Sequence, residues 1–158
     1  MAAQGGVPVP VRVRVAVEAD LEVAAELFRG YLEFYEVAVE DPGRPREFLA
    51  ERIAKDESLV LLAEVEGVGT VGFAQVYRTF SSLAMRPVWV LGDLFTAPSG
   101  RRTGAGRALL REVLERAREA GVAGVQLETG FDNEVAQGLY ESEGFVREGY
   151  YIYFRELG

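Results

Sequence analysis

Cysteine and histidine are both absent from the 158 residues of this chain, which also contains only one tryptophan and two methionines. Without cysteine, disulfides, thiolate metal ligands and cysteine nucleophiles are excluded. Without histidine, the chain has no imidazole base and no histidine metal ligand. Any chemistry must therefore use carboxylates, tyrosine hydroxyls, backbone amides or a bound cosubstrate, and we expect no metal.

Long apolar runs and an excess of positive charge are missing as well. No stretch approaches the ~18 apolar residues of a membrane span, and the first residues lack the pattern of a signal peptide. The net charge of −8 offers no basic face for nucleic acid. We therefore expect a cytoplasmic protein with no membrane or nucleic-acid partner. The length of the chain is typical of one domain, which we expect to span residues 11–158. We expect residues 1–10 to form a flexible tail.

Hydrophobic periodicity predicts an α/β chain. The predicted strands cover residues 11–17, 59–66, 70–79, 88–96 and 125–129. The predicted helices begin at Asp20, cover residues 46–55 and 104–120, and run from Asp132 or Asn133 to Gly144. Residues 145–157 are predicted to form one or two further strands.

The segment Gly67-Val68-Gly69-Thr70-Val71-Gly72 matches the dinucleotide fingerprint G-x-G-x-x-G. That mechanism requires a helix to begin at the loop, so that the helix N-terminus faces the pyrophosphate. Here strand-forming residues follow, so a hairpin turn is predicted and a nicotinamide site is excluded.

The stretch Arg101-Arg102-Thr103-Gly104-Ala105-Gly106-Arg107 lies between an apolar predicted strand and an amphipathic predicted helix. The first turn of such a helix carries N–H groups without intrahelical partners and a partial positive charge. Gly104 and Gly106 lack a Cβ, so an anion can approach the backbone closely. In isolation this motif would indicate a solvated arginine cluster. The preceding strand and the following helix favour a pyrophosphate site instead.

A second motif, "NEVAQGLY", contains Asn133 and Tyr140, and Gly144 and Phe145 follow it. Seven residues span two helical turns, so Asn133 and Tyr140 project to the same side. Each alone has a structural explanation, as a helix cap and as a core residue. Together, the patterns R-x-x-G-x-G and N-x-x-A-x-x-L-Y-x-x-x-G-F resemble those of GNAT superfamily N-acetyltransferases, and the resemblance covers nearly the whole chain.

The resemblance implies a single α+β domain with a mixed, mostly antiparallel, twisted sheet flanked by helices, in which central parallel strands splay apart. It implies acetyl-CoA as cosubstrate, with the pyrophosphate on the glycine loop. The residues implied in binding acetyl-CoA are Leu94, Phe95, Thr96, Arg101, Arg102, Thr103, Gly104, Ala105, Gly106, Arg107, Asn133 and Tyr140. Many relatives carry glycine at the position of Arg102 and a basic residue at that of Thr103, so this chain departs from the pattern at the outer phosphates.

Transfer of an acetyl group to an amine sets three tasks. An amine with a pKa of about 10.4 is almost fully protonated at pH 7, so a group must accept its proton. Asp93 is the candidate base, although a structural bond to nearby backbone amides would also explain it. The alternatives to Asp93 are Glu33, Glu36 and Glu128. The resemblance implies backbone amides around residues 94–96 as donors to the thioester oxygen, and Tyr140 as the general acid for the leaving thiolate.

The molecule that accepts the acetyl group is predicted from an aromatic and acidic surface, because such a surface suits an amine cation. Its residues are Tyr31, Glu33, Tyr35, Glu36 and Glu128. Ordinary core packing explains Tyr31 and Tyr35 as well. A small polyamine-like amine is expected, as for the diamine and polyamine acetylating members of the family. The alternatives are a protein or peptide amine, and an acyl-CoA-binding module without activity. Family members are often dimers, so residues 150–154 are either core or a homodimer contact.

Overall fold

The computed structural model describes residues 10–158, and residues 1–9, which include most of the predicted tail, lie outside the described residues. The chain divides into two compact units, of which the first ends at Glu128 and the second comprises Thr129–Gly158. None of the helices in the described part of the chain has the length and hydropathy needed to cross a membrane.

The first unit is built on a five-stranded mixed sheet whose strands are adjacent in chain order. The strands are β1 (Val11–Val15), β2 (Ser58–Val65), β3 (Gly69–Ser81), β4 (Arg86–Thr96) and β5 (Val125–Leu127). Pairing is antiparallel from β1 to β4, whereas β5 pairs with β4 in parallel. The mixed, mostly antiparallel sheet is therefore confirmed. Gly67 in the turn between β2 and β3 and Gly69 at the start of β3 have positive φ, and the two strands pair antiparallel, which confirms the hairpin.

Three α-helices are described in this unit. They are α1 (Leu21–Phe34), α2 (Arg44–Ala54) and α3 (Ala105–Ala120). The apolar stripe of α1 is buried at Leu21, Ala24 and Phe28, as predicted. The helix ends at Phe34, so Tyr35 lies just beyond it.

The helix ends follow from proline and glycine. Helix α2 begins at Arg44 rather than at Arg46, because the missing N–H of Pro45 is not needed in a first turn. Gly121 ends α3 with a left-handed φ of 69°, as predicted for a helix stop.

The helices bury both faces of the sheet. Val60, Leu62 and Phe73 belong to the core that α1 and α2 cover. Alternate residues of the same strands point to the opposite face, where α3 contacts the first four strands. Leu109 and Leu110 of α3 are fully buried. Packing on both faces therefore fixes the position of β4, which carries much of the candidate site.

The second unit contains α4 (Glu134–Ser142). The side-chain oxygen of Asn133 accepts a hydrogen bond from the N–H of Ala136 at 3.2 Å, which confirms the predicted helix start. The prediction of strands over residues 145–157 is wrong, because none of the described strands pairs with this segment. A strand persists only where a neighbouring strand satisfies its N–H and C=O groups. The aromatic side chains from Tyr150 to Phe154 are exposed instead.

Candidate active site

The candidate site lies where the parallel strands β4 and β5 cease to pair. Their last paired residues are Leu91 and Leu127, whereas β4 continues along β3 to Thr96. From Leu94 to Thr96, β4 therefore has a partner strand on one side only among residues 10–158. Such an edge presents N–H and C=O groups that a ligand can use. The predicted separation of two parallel strands is present, and Leu94, Phe95 and Thr96 lie along it.

A β-bulge at Gly92 sets the direction of Asp93. Leu91 pairs with Val76 and Asp93 pairs with Gln75, so Gly92 is an extra residue on β4. Bulges of this kind re-aim the side chains that follow them. As a result, Asp93 shares with Gln75 the face of the sheet that α1 covers.

The partly buried Asp93 carboxylate is linked by hydrogen bonds to two buried polar side chains. Nε2 of Gln75 donates to Oδ2 of Asp93 at 2.7 Å, and the Ser58 hydroxyl donates to Oε1 of Gln75 at 2.8 Å. Burial raises the pKa of the Asp93 carboxyl, and hydrogen bonds from Gln75 and Tyr31 lower it in part. A carboxyl with a raised pKa is a stronger base than an exposed aspartate, which suits proton removal from an ammonium group.

The other carboxylates predicted at the site are exposed. Glu33 lies on the last turn of α1, Glu36 follows that helix with a φ of 56°, and Glu128 follows β5. Asp93 differs from them in its burial and its hydrogen-bonded carboxylate. These differences favour Asp93 as the base and leave the glutamates on the surface, where they can attract a cation.

Tyr31 joins α1 to the bulge. Its hydroxyl donates to the Gly92 carbonyl at 3.4 Å, and its ring packs edge-on against Phe73 and Phe95 with centroid distances of 5.8 and 6.3 Å. The ring of Tyr35 lies 4.9 Å from that of Tyr31, and Tyr35 is 49% exposed. Tyr31 is therefore a packing residue whose polar end reaches the bulge, whereas Tyr35 is accessible at the surface.

The loop between β4 and α3 fits an anion. Gly104 is the N-cap of α3 and has a left-handed φ of 84°, and no atom lies within 4 Å of where its Cβ would be. Gly106 and Arg107 belong to the first turn of the helix, where backbone N–H groups point out of the helix end. Open space above a glycine at a helix N-terminus is what a diphosphate requires.

Arg102 and Thr103 shape the same loop. Thr103 Oγ1 donates to the Gly100 carbonyl, and the N–H of Ala105 donates to Thr103 Oγ1 at 3.3 Å. Arg102 has a φ of 63°, a left-handed conformation that costs a residue with a Cβ about 1 kcal/mol. Glycine adopts this conformation without that cost. The side chains of Arg101 and Arg102 are exposed, so their charge is available to a ligand.

Gly100 fixes this loop on the sheet, and Gly100→Ala is expected to destabilise the fold. A Cβ at Gly100 would lie 2.5 Å from the Val71 Cβ and 3.0 Å from Thr96 Cγ2. Overpacking of this kind costs about 2 kcal/mol in the free energy of unfolding, which urea denaturation measures. Gly124→Ala is the control, because nothing lies within 4 Å of its added Cβ. If the two variants were equally stable, the close packing of Gly100 against Val71 and Thr96 would be contradicted.

Tyr140 lies on α4 in the second unit, and the Gly-Phe pair of the motif holds its end of the helix. Gly144 has a φ of 91°, and the N–H of Phe145 donates to the Tyr140 carbonyl at 3.0 Å. The ring centroids of Tyr140 and Phe145 lie 5.9 Å apart. The glycine thus turns the chain so that the phenylalanine returns to the tyrosine, which explains their spacing in the motif.

Sequence reasoning missed Gln75, Ser58 and the bulge at Gly92. The one available signal was Gln75 itself, a single amide within the apolar segment "GFAQVY" of β3. A buried polar side chain must find a hydrogen-bond partner, so such a residue indicates a polar contact across the sheet. Its partner on β4 depends on the bulge, which the sequence does not reveal.

A mixed sheet whose parallel strands separate beside a glycine loop and a helix N-terminus is typical of acetyl-CoA-dependent acyltransferases. Residues 24–145 match the model of the Acetyltransferase (GNAT) family, and the match includes residues of both units. The chain therefore belongs to the GNAT family and is an acetyltransferase, which confirms the resemblance.

Named relatives agree with this family. The chain is 35% identical over 144 residues to the uncharacterized N-acetyltransferase YhfO of Bacillus subtilis (strain 168), covering 91% of this chain and 95% of the relative. It is 29% identical over 146 residues to an aminoglycoside N(6')-acetyltransferase type 1 of Stenotrophomonas maltophilia, covering 90% and 91%.

Solved structures share the fold. A crystal structure of a probable acetyltransferase superposes with a TM-score of 0.85 at 35% identity and covers 93% of this chain and 98% of that one. The structure of AAC(6')-Iy in complex with a bisubstrate analogue superposes with a TM-score of 0.77, covering 94% and 99%. Its identity is 20%, so the likeness concerns the fold alone.

Proposed function

We propose that this chain transfers the acetyl group of acetyl-CoA to a primary amine of a small molecule that carries several ammonium groups. The observation that carries the proposal is the partly buried, hydrogen-bonded Asp93 carboxylate at the separation of β4 and β5. Tyr31 joins this position to the acidic and aromatic end of α1. A relative that is named for acetylating aminoglycosides, which are compounds with several amines, supports this class of acceptor.

Two parts of the first unit would hold acetyl-CoA. The N-terminus of α3 offers Gly104, Gly106 and the exposed arginines of the loop to a diphosphate. The unpaired edge of β4 from Leu94 to Thr96 offers backbone groups to an amide-containing arm and to the thioester oxygen. The family motif implies a role in binding acetyl-CoA for Asn133 and Tyr140 of the second unit as well.

Acetyl-CoA supplies a thioester whose acetyl group is open to attack by an amine. In our proposal Asp93 accepts the proton of the acceptor ammonium, because an ammonium nitrogen has no electron pair for attack. Tyr140 donates a proton toward the leaving thiolate of coenzyme A. Glu33 and Glu36, both exposed, raise the local concentration of a cation at the surface beside the site.

Acetyl transfer to a panel of amines tests this function. We expect free thiol to appear with acetyl-CoA and a linear polyamine or an aminoglycoside, and much more slowly with a lysine-containing peptide. Faster reaction with the peptide would make the acceptor a protein amine. Thermal stabilisation by acetyl-CoA without thiol release to any amine would indicate a binding module without activity.

Gly104→Ala is expected to weaken acetyl-CoA binding. The added Cβ would lie over the helix N-terminus. The backbone φ of 84° at residue 104 would also cost alanine about 1 kcal/mol of stability, because residues with a Cβ disfavour that region. We expect the dissociation constant for acetyl-CoA, measured by calorimetry, to rise about ten-fold, which corresponds to losing one charge-assisted hydrogen bond.

The matched control is Gly121→Ala at the other end of α3. Gly121 is the C-cap of this helix, with a left-handed φ of 69° and nothing within 4 Å of its added Cβ. The substitution therefore has a similar backbone cost of about 1 kcal/mol but lies away from the proposed diphosphate site. We expect this variant to lose stability and to keep its affinity for acetyl-CoA. If Gly104→Ala bound acetyl-CoA as tightly as Gly121→Ala, the loop would not be the diphosphate site.

A further inference from the structure

Behind Asp93 the sheet contains two polar side chains in otherwise apolar surroundings. Gln75 is fully buried and Ser58 is 5% exposed. Both lie on the face under α1 and α2, since Ser58 pairs with Tyr77 and Gln75 pairs with Asp93 across neighbouring strands. The hydrogen bonds run from Ser58 through Gln75 to Asp93 at 2.8 and 2.7 Å. Removing polar side chains from water costs free energy, even when they are hydrogen-bonded to each other. The presence of Gln75 and Ser58 in this core therefore calls for an explanation.

The donors and acceptors in this series of hydrogen bonds are fixed by the chemistry of Asp93. A carboxylate only accepts hydrogen bonds, so the Gln75 amide must turn its nitrogen toward Asp93. Its oxygen then faces Ser58, whose hydroxyl donates to it. Removing the Ser58 hydroxyl would remove the group that opposes rotation of the amide by half a turn.

We propose that Gln75, oriented by Ser58, is a positioning residue that holds Oδ2 of Asp93 as an acceptor and leaves Oδ1 to take the proton of the acceptor amine. This inference rests on the proposed role of Asp93 as the base. In the step, an N–H bond of the ammonium breaks, its electron pair stays on nitrogen, and an O–H bond forms at Oδ1. The resulting neutral amine is the nucleophile.

The two oxygens of Asp93 differ because their neighbours differ. The amide nitrogen of Gln75 has no lone pair to accept a hydrogen bond, so a proton on Oδ2 would face a donor. The Tyr31 hydroxyl, the other donor to Asp93, can donate to the Gly92 carbonyl instead. A hydroxyl can also accept, so it tolerates a protonated neighbour.

Three elements carry the remaining groups that act on Asp93 directly or on its neighbour Tyr77. Tyr77 of β3 is half-buried, which raises its pKa to about 12, and the charge of Asp93 adds to that rise. Arg52 of α2 lowers the pKa of Tyr77, while its own Nη2 lies 2.9 Å from Glu51 and 3.3 Å from Glu57. Tyr31 is the contact from α1. Tyr77 stays neutral below pH 10, so Gln75 and Tyr31 are the donors that adjust the titration of Asp93 in the working range.

Gln75→Met tests the inference, because methionine keeps the length and apolar stem but cannot donate. Without this donor the pKa of Asp93 rises further. We expect the acidic limb of kcat/KM for the amine to move to higher pH, with about a ten-fold loss below the limb, as one lost donor to a carboxylate implies. Well above the limb, kcat/KM is expected to return to the wild-type value. Ser58→Ala should shift the limb in the same direction by less.

The control is Gln126→Met, the same exchange at an exposed position of β5, which should leave the profile unchanged. The pKa of Asp93 is also read directly from its side-chain carbon signal by ¹³C NMR, assigned with Asp93→Asn. A raised pKa together with a shifted limb supports the inference. An unchanged pKa in folded Gln75→Met overturns the inference and leaves the proposed function intact. A raised pKa with an unmoved limb overturns Asp93 as the base instead.

Discussion

Tyr140→Phe is expected to lower kcat by about 100-fold, the effect of removing a general acid. The leaving thiolate of coenzyme A needs a proton, and phenylalanine keeps the ring but loses the hydroxyl. The ring contact with Phe145 at 5.9 Å needs no hydroxyl, so α4 should remain folded. Thiol release under saturating acetyl-CoA and amine measures kcat, and calorimetry measures acetyl-CoA affinity, which we expect to change little.

Tyr151→Phe serves as the control for this substitution. Tyr151 is 88% exposed in the same unit, and its hydroxyl has no part in the proposed site. We expect its kinetics to match the wild type. If Tyr140→Phe kept kcat and changed only the affinity for acetyl-CoA, Tyr140 would be a binding residue and another group would protonate the thiolate.

Asp93→Asn is the second substitution with a large expected effect. It should lower kcat/KM for the amine by about 100-fold at pH 7, because asparagine cannot accept the ammonium proton. The defect should shrink as the pH approaches the pKa of the amine, since solvent then supplies the free amine. In the wild type, burial raises the pKa of Asp93, so activity falls on acidification at a higher pH than for an exposed aspartate.

The control for Asp93→Asn is Asp41→Asn in the exposed loop before α2. Oδ1 of Asp41 accepts from the N–H of Gly43 at 2.9 Å, a bond that asparagine can keep. This variant should have wild-type rates across the pH range. Wild-type rates in Asp93→Asn at every pH would show that Asp93 is structural, and the exposed glutamates would become the candidates.

Much of the fold follows from local patterns in the sequence. The helix α3 runs to Gly121 because its apolar stripe and its glycine stop agree, and Asn133 begins α4 because its side chain caps the helix. The C-terminal segment shows where such reasoning fails. Aromatic and β-branched residues favour a strand, but a strand also needs a partner, and no local pattern states whether one exists.

The candidate site was predicted less completely than the fold. The glycine loop and Asp93 were predicted from their positions after and within an apolar strand, and their roles stay predictions. The bulge at Gly92, the buried amide of Gln75 and the tight seat of Gly100 depend on register and on contacts between strands. Such contacts lie far apart in the chain, so a periodicity analysis cannot detect them.

A crystal structure of the protein with coenzyme A tests the central claim most directly. We predict the diphosphate on the backbone N–H groups at the start of α3, beside Gly104, and the pantetheine arm along the open edge of β4 from Leu94 to Thr96. Coenzyme A bound elsewhere, with the α3 N-terminus and the β4 edge unoccupied, would contradict the account.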